Sequence, residues 1–299
     1  MKYIFIVNGR YDMVGRIDAD LEKQLKGVEI SYDVYHTEGV GDGIRYVRIY
    51  CDLHPEEEVC FVACGGSGTT DEVASGIVGF KNKSMAIMAY GATNDFTKYY
   101  PGYDFRNLKK LVSGTGTLVD IIKLNDNYSL NVACVGFDAM VSYVSNEYIA
   151  GGMDGVKAFR KGVIDCLFSN RVNKVVVTAD GERLNRKKLL LCTMANASWC
   201  GGQYFCAPRA KVDDGIIDVC LFKPCTLLEF LILMGHYEKG DHLTNKFCSK
   251  RLIYRRARHL ELDSDSLIMV GLDGETFAAS HFDVDIIPKA INLVLPEKD

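Results

Sequence analysis

The apolar run Val59-Cys60-Phe61-Val62-Ala63 leads directly into Cys64-Gly65-Gly66-Ser67-Gly68-Thr69-Thr70-Asp71-Glu72. Five uncharged residues suit a short buried strand, and three glycines within four positions let the chain bend tightly and come close to another backbone or a ligand. Where such a turn opens a helix, successive backbone N–H groups converge on one point and make a cradle for an anion such as phosphate. A glycine turn also serves simply to pack a helix on a sheet, so by itself it leaves both readings open. Either way the chain must run strand, turn and helix in succession.

The residues around this turn repeat the pattern. Apolar runs at 3–7, 30–35, 59–63 and 85–89 read as short buried strands, and amphipathic stretches at 17–25, 44–53 and 73–80 lie between or after them. This βαβ series predicts an α/β domain over residues 1–119, a parallel sheet covered by helices, with ligands beyond the carboxyl ends of the strands. From residue 120 the character changes. Strand-like runs at 118–124, 129–135, 174–178, 188–194, 216–222, 258–262, 266–271 and 286–287 are interrupted by helix-like stretches only near 155–168 and 226–235. Residues 120–287 are expected to form a mainly antiparallel β-sandwich domain. No repeat or Pro-rich linker separates the halves.

Composition narrows the function. The 299 residues are 48% hydrophobic and 25% charged, enough for a sizeable core, and the formal net charge of -4 argues against a nucleic-acid partner. Residues 227–234 are the most apolar helix-like segment, but they include Glu229 and fall short of the roughly 20 residues a membrane span needs. No secretion signal is read at the N-terminus, so the expected location is the cytoplasm. The eleven cysteines contain no Cys-x-x-Cys pair and read as reduced, buried thiols.

Three further segments carry polar groups at strand ends. Gly91-Ala92-Thr93-Asn94-Asp95-Phe96 follows the fourth strand and would lie beside the first glycine turn, bringing the Asn94 amide and the Asp95 carboxylate to it; a turn with an Asx cap is the plainer reading. Gly271-Leu272-Asp273-Gly274-Glu275 is either an ordinary Asp-Gly hairpin or the seat of a general base, Asp273, assisted by Glu275. Asp213-Asp214-Gly215-Ile216-Ile217-Asp218 sets three carboxylates near a glycine turn, which suits Mg²⁺ as well as it suits a polar loop.

Taken in order and spacing, the glycine turn, the 91–96 loop, Asn131-Val-Ala-Cys-Val-Gly-Phe-Asp138, residues 201–218 and residues 272–275 resemble the bacterial diacylglycerol kinases and related lipid kinases over essentially the whole chain. The resemblance implies an N-terminal domain like those of 6-phosphofructokinase and NAD kinase, to which residues 288–299 return, a C-terminal β-sandwich, and ATP bound between them. It implies that Gly65, Gly66, Ser67, Gly68 and Thr69 cradle ATP phosphates. Thr37 and Glu72 would flank the nucleotide, and Asn94 and Asp95 would line the same site through Mg²⁺ or water, with Asp120 joining them. Asp273 takes the place of the proposed base, and a structural Mg²⁺ falls on Asp214 with the backbone carbonyls of Lys211 and Ile216.

The reaction so implied is transfer of the γ-phosphoryl group of ATP to a hydroxyl of a diacylglycerol-like membrane lipid, with peripheral contact at the inner face of the membrane. Basic residues Lys157, Arg160 and Lys161, and the set Lys246, Lys250, Arg251, Arg255, Arg256 and Arg258, are candidates for that contact, although solvated faces explain such clusters too. Family members are often dimeric, and a homodimer stays open. The chain departs from the family at two positions: Ser67 stands where an aspartate is usual and Ala92 where a threonine is usual. Asp71, in place of an asparagine, puts a carboxylate at the expected helix start. These departures keep open a weakly active or inactive homologue that senses nucleotide or lipid, and the shared glycine loop keeps open a kinase of NAD or another soluble alcohol.

Overall fold

In the computed structural model, which describes residues 1–9, 13–91, 94–168 and 172–298, the chain divides into two units, Met1–Asp120 with Pro288–Asp299, and Ile121–Ile287. Ala92 lies outside the described residues.

In the first unit the elements alternate: β1 (Lys2–Val7), α1 (Val14–Leu25), β2 (Tyr32–His36), α2 (Asp42–Leu53), β3 (Val59–Gly65), α3 (Ser67–Ile77), β4 (Lys83–Ala89) and the short α4 (Leu108–Val112). The strands pair in parallel in the order β2-β1-β3-β4. Because side chains alternate along a strand, Phe5, Cys60, Val62, Ala86 and Met88 share one core with Ile17 and Leu21 of α1 and with Leu108 and Leu111 of α4. Burying each such aliphatic side chain contributes about 1.5–3 kcal/mol, and here it fixes which helix face turns inward.

The second unit is a β-sandwich with helices on one outer face. It uses β5 (Thr115–Leu124), which enters from the first unit, β6 (Asn127–Ser129), β7 (Val132–Gly136), α5 (Phe137–Ala150), α6 (Gly155–Leu167), β8 (Val176–Ala179) and β9 (Glu182–Arg183). It continues with β10 (Leu191–Ala195), β11 (Ile217–Phe222), α7 (Leu227–Lys239), β12 (Leu252–Ala257), β13 (His259–Leu272) and β14 (Glu275–Leu295). The antiparallel order is β12-β11-β10-β7-β13-β14, with β8 also on β13. Cys192, Met194, Val219 and Leu221 point into the sandwich core, whereas their neighbours Leu191, Ala195, Cys220 and Phe222 meet the helices through Phe137, Phe230 and Tyr237. The last residues of β14 belong to the first unit, where Leu293 and Val294 pair in parallel with Met85 and Ala86 of β4.

Several elements differ from the sequence expectation. Helix α3 begins at Ser67, six residues before its first apolar repeat, because the glycine turn closes directly into it. Helix α5 was not expected, since its apolar residues are spread around the helix rather than along one stripe. The short runs near 258–262 and 266–271 belong to one strand, β13, bulged between Asp263 and Ile268. Among the described residues no helix is long and apolar enough to cross a membrane, and every described cysteine is free.

Candidate active site

The glycine turn lies at the carboxyl end of β3, and the N-terminus of α3 carries no side-chain cap and no acidic residue in its first turn. The first amides of a helix have no intrahelical acceptor, so those of Ser67, Gly68 and Thr69 are donors for a ligand. The 91–96 loop lies beside them because β3 and β4 are adjacent and parallel. Tyr90 and Gly91 both donate their N–H to the Gly65 carbonyl, at 3.0 and 2.9 Å, and Asn94 Nδ2 donates to the same oxygen at 3.0 Å. Two buried polar atoms at this place have no partner among the described residues, Ser67 Oγ and Asn94 Oδ1. Leaving such atoms unpaired is costly, so a pair of them beside an uncapped helix start marks a place for a polar ligand.

The other residues expected here are more firmly engaged by the protein. Thr69 is buried beneath the turn, and its hydroxyl accepts from Asn8 Nδ2 at 3.0 Å. Thr37 Oγ1 accepts from the Gly9 N–H at 3.2 Å, at the end of β2. Glu72 turns to the start of α2, where its two oxygens accept from the N–H groups of Gly41 and Gly43, both at 2.8 Å. Burial pushes its carboxyl above the usual range, opposed by those two hydrogen bonds. Asp95 is buried and pairs with Lys98 Nζ at 2.6 Å. Asp120, fully buried in β5, accepts from the Lys289 N–H at 2.8 Å. Asp71 is in the second turn of α3, not at its start, one turn beyond Ser67 and on the same face.

In the second unit, Asp273 and Gly274 form a two-residue hairpin between β13 and β14, with φ of 45° and 97° and Leu272 opposite Glu275. The plain hairpin reading is therefore right for the backbone, and glycine at the second position accommodates its left-handed conformation. The Asp273 side chain does more. It accepts from Ser129 Oγ and from the N–H groups of Asn131 (3.0 Å) and Val132 (3.2 Å), while its own N–H donates to the Val132 carbonyl. Three hydrogen bonds fix the carboxylate at a strand end, and a fourth holds its backbone. Asn131 Oδ1 nearby is buried and without a partner. Asn146 of α5 holds the turn from outside by donating to the Gly274 carbonyl at 2.7 Å. Ser129 and Asn146 were not marked by any sequence motif; no spacing links them to Asp273.

The segment expected to hold a structural metal has a more complicated charge arrangement. Asp214 Oδ2 pairs with Arg256, while its Oδ1 is buried and unpartnered. Asp218 is fully buried, accepts from Tyr254, and has its carboxyl raised by burial, opposed by Tyr254 and Arg256. The unpartnered Asp214 Oδ1 beside the turn at Gly215 is an oxygen of the kind a hard cation takes. No cluster of three His, Cys, Asp or Glu side chains that could hold a metal occurs among the described residues. Several of the basic side chains are likewise committed: Lys161 to Asp165, Arg251 to Glu229, Arg255 to Glu182 and Arg256 to Asp214.

A parallel α/β unit with a glycine cradle at its strand ends, joined to a β-sandwich bearing a fixed Asp-Gly turn, defines the class of NAD kinase-like folds. An ATP-complexed NAD kinase from Archaeoglobus fulgidus superposes over 100% of this chain and 94% of that one, at 12% identity and a TM-score of 0.53. A diacylglycerol kinase structure from Bacillus anthracis superposes with a TM-score of 0.67 at 17% identity, covering 98% of this chain and 96% of that one. Residues 2–124 match the diacylglycerol kinase catalytic domain, and residues 131–295 match the YegS C-terminal NAD kinase beta sandwich-like domain. The chain belongs to this diacylglycerol kinase and YegS family. Among its relatives are a protein of Serratia proteamaculans named "Probable lipid kinase YegS-like", 28% identical over 86% of this chain and 82% of that one, and a Staphylococcus aureus diacylglycerol kinase, 26% identical over 86% and 79%.

Proposed function

We propose that the protein transfers the γ-phosphoryl group of ATP to a hydroxyl of a diacylglycerol-like lipid, in a reaction that requires Mg²⁺. The observation that carries this reading is the uncapped start of α3 with Ser67 Oγ and Asn94 Oδ1 unpartnered beside it. Amides of Ser67, Gly68 and Thr69 bind phosphate oxygens, and the Gly66 and Gly91 backbones set the depth of the cradle. Asn94 holds the second loop against Gly65, and Glu72 and Thr37 keep the neighbouring loops in place. When bound, Mg²⁺ would neutralise charge on the phosphate oxygens, and Asp95 and Asp120 would hold it, with Asp71 of α3 as a further carboxylate. Asp273, fixed by Ser129, Asn131 and Val132, takes the proton from the acceptor hydroxyl, and Glu275 at the same turn assists. Asp214 with the carbonyls of Lys211 and Ile216 holds a second, structural Mg²⁺.

Incubating pure protein with γ-labelled ATP, Mg²⁺ and a panel containing diacylglycerol, other lipid alcohols and NAD tests the proposal. Label in a diacylglycerol-type lipid supports it, label in NAD replaces it with a soluble acceptor, and no labelled product under any divalent metal overturns it. Ser67 favours a second reading, a homologue of weak activity, because a neutral hydroxyl offers a cation less than a carboxylate does. Ser67→Asp separates the two: a large gain in turnover supports the weak homologue, and an unchanged or lower rate supports a fully adapted enzyme.

A further inference from the structure

Helix α7 is apolar on two sides, and only one is covered. Phe230, Leu233 and Tyr237 face the interior of their unit. Leu227, Leu228, Leu231 and Ile232 fall at i, i+1, i+4 and i+5, share the other face, and are 40%, 69%, 52% and 40% exposed. A helix apolar all round is normally buried, and four adjoining aliphatic side chains over two turns form a patch of the kind that marks an interaction surface. The helix is 13 residues long, too short to span a bilayer.

Its start is rigid and its surroundings are basic. Thr226 and Glu229 form a reciprocal capping box, and Arg251 Nη2 pairs with Glu229 at 2.7 Å, neutralising the one carboxylate in the first two turns. Lys223, exposed just before the helix, donates its backbone N–H to the Arg251 carbonyl at 2.8 Å, and exposed Lys250 precedes Arg251. Neither lysine has an ion-pair partner among the described residues. Aliphatic side chains bordered by unpaired lysines match the layering of an anionic bilayer, acyl chains beneath phosphate headgroups. A second copy of the chain fits less well, because a two-fold contact through this face would bring the same lysines together.

We propose that the exposed face of α7, Leu227, Leu228, Leu231 and Ile232 with Lys223, Lys250 and Arg251 at its border, inserts into the interfacial layer of an anionic lipid bilayer. This rests on the lipid-acceptor reading above and adds the surface by which the protein reaches its acceptor.

Flotation of the full chain, without ATP, with phosphatidylcholine vesicles containing or lacking phosphatidylglycerol tests it. The wild type is expected to float with the anionic vesicles, and Leu228→Glu/Leu231→Glu to bind at least about tenfold less. Lys223→Glu/Lys250→Glu should lose binding at low salt, with a deficit against wild type that shrinks as salt is raised. Both should keep the wild-type unfolding midpoint and rate on a short-chain diacylglycerol dispersed as monomers; Leu228→Gln carries the same test if the double leucine variant unfolds. Undiminished vesicle binding by the leucine variants overturns the proposal. So does a wild-type dimer that they convert to monomer while the wild type ignores vesicles. Vesicle binding that depends on α7, without any labelled lipid in the kinase assay, would keep the docking surface and remove the acceptor reading.

Discussion

A Cβ atom on Gly91 would lie 2.3 Å from the Cα of Gly66, so the loops that close β4 and β3 touch backbone to backbone. No side chain fits there without one loop moving. Gly91→Ala should therefore open the cradle, with a loss of about 2 kcal/mol or more in stability. Thermal unfolding and ATP titration calorimetry measure the two effects, and a variant with unaltered ATP affinity would show that the contact does not shape the phosphate site.

Asp273 predicts a loss of rate without loss of fold. Asp273→Asn preserves the hairpin but removes the charge that takes up the proton, and turnover should fall about a hundredfold or more with substrate KM little changed. Ser129→Ala, which removes one of the groups fixing the carboxylate, should cost less than Asp273→Asn. Initial-rate kinetics of the two variants separate these outcomes.

Asp138 makes the second unit sensitive to pH. Burial between the helices and the sheet pushes its carboxyl up to about 6, with Thr193 and Tyr237 hydroxyls opposing the rise and no cation among its causes. A raised acid is charged in the unfolded chain at pH values where the fold prefers it protonated. Its contribution to stability is therefore full below the ordinary carboxylate range and is lost as pH rises through about 6. Asp138→Asn should be more stable than wild type at pH 7, on the order of 2 kcal/mol, and equal to it near pH 3.5. Denaturant melts across that range read the difference directly.

Asp214 predicts a Mg²⁺-dependent gain in stability that needs no nucleotide. If its unpartnered Oδ1 binds the cation, Mg²⁺ raises the unfolding temperature of the wild type and leaves that of Asp214→Asn unmoved. Equal shifts in both proteins would locate the effect elsewhere.

Much of this architecture was legible because local signals agreed with one another. Each strand of the first unit is a short apolar run, each covering helix has one apolar stripe, and the glycines fall where β3 turns into α3. The parallel order then follows, and with it the meeting of the Gly65 and Asn94 loops. In the second unit the alternation along β10 and β11 announced strands, but α5 carries no single apolar stripe. The length of β13 and β14 was hidden by polar stretches whose backbones pair regardless of side-chain character. β12 was hidden for a related reason, since the adjacent exposed Arg255 and Arg256, on opposite faces of a strand at the end of its sheet, interrupt its apolar alternation.

What the amino-acid order determined by itself is the set of local conformations: the tight glycine turn, the Asp-Gly hairpin, the capped start of α7. These depend on backbone freedom and on neighbours a few residues away. Only the tertiary structure decided what each polar group does. Ser129 reaches Asp273 across 144 positions, Glu72 turns to the amides of Gly41 and Gly43, and Arg256 claims Asp214. The physical reason is that a buried polar group is satisfied by whichever donor or acceptor packing brings within about 3 Å, a partner set by the fold and not by its neighbours in the chain.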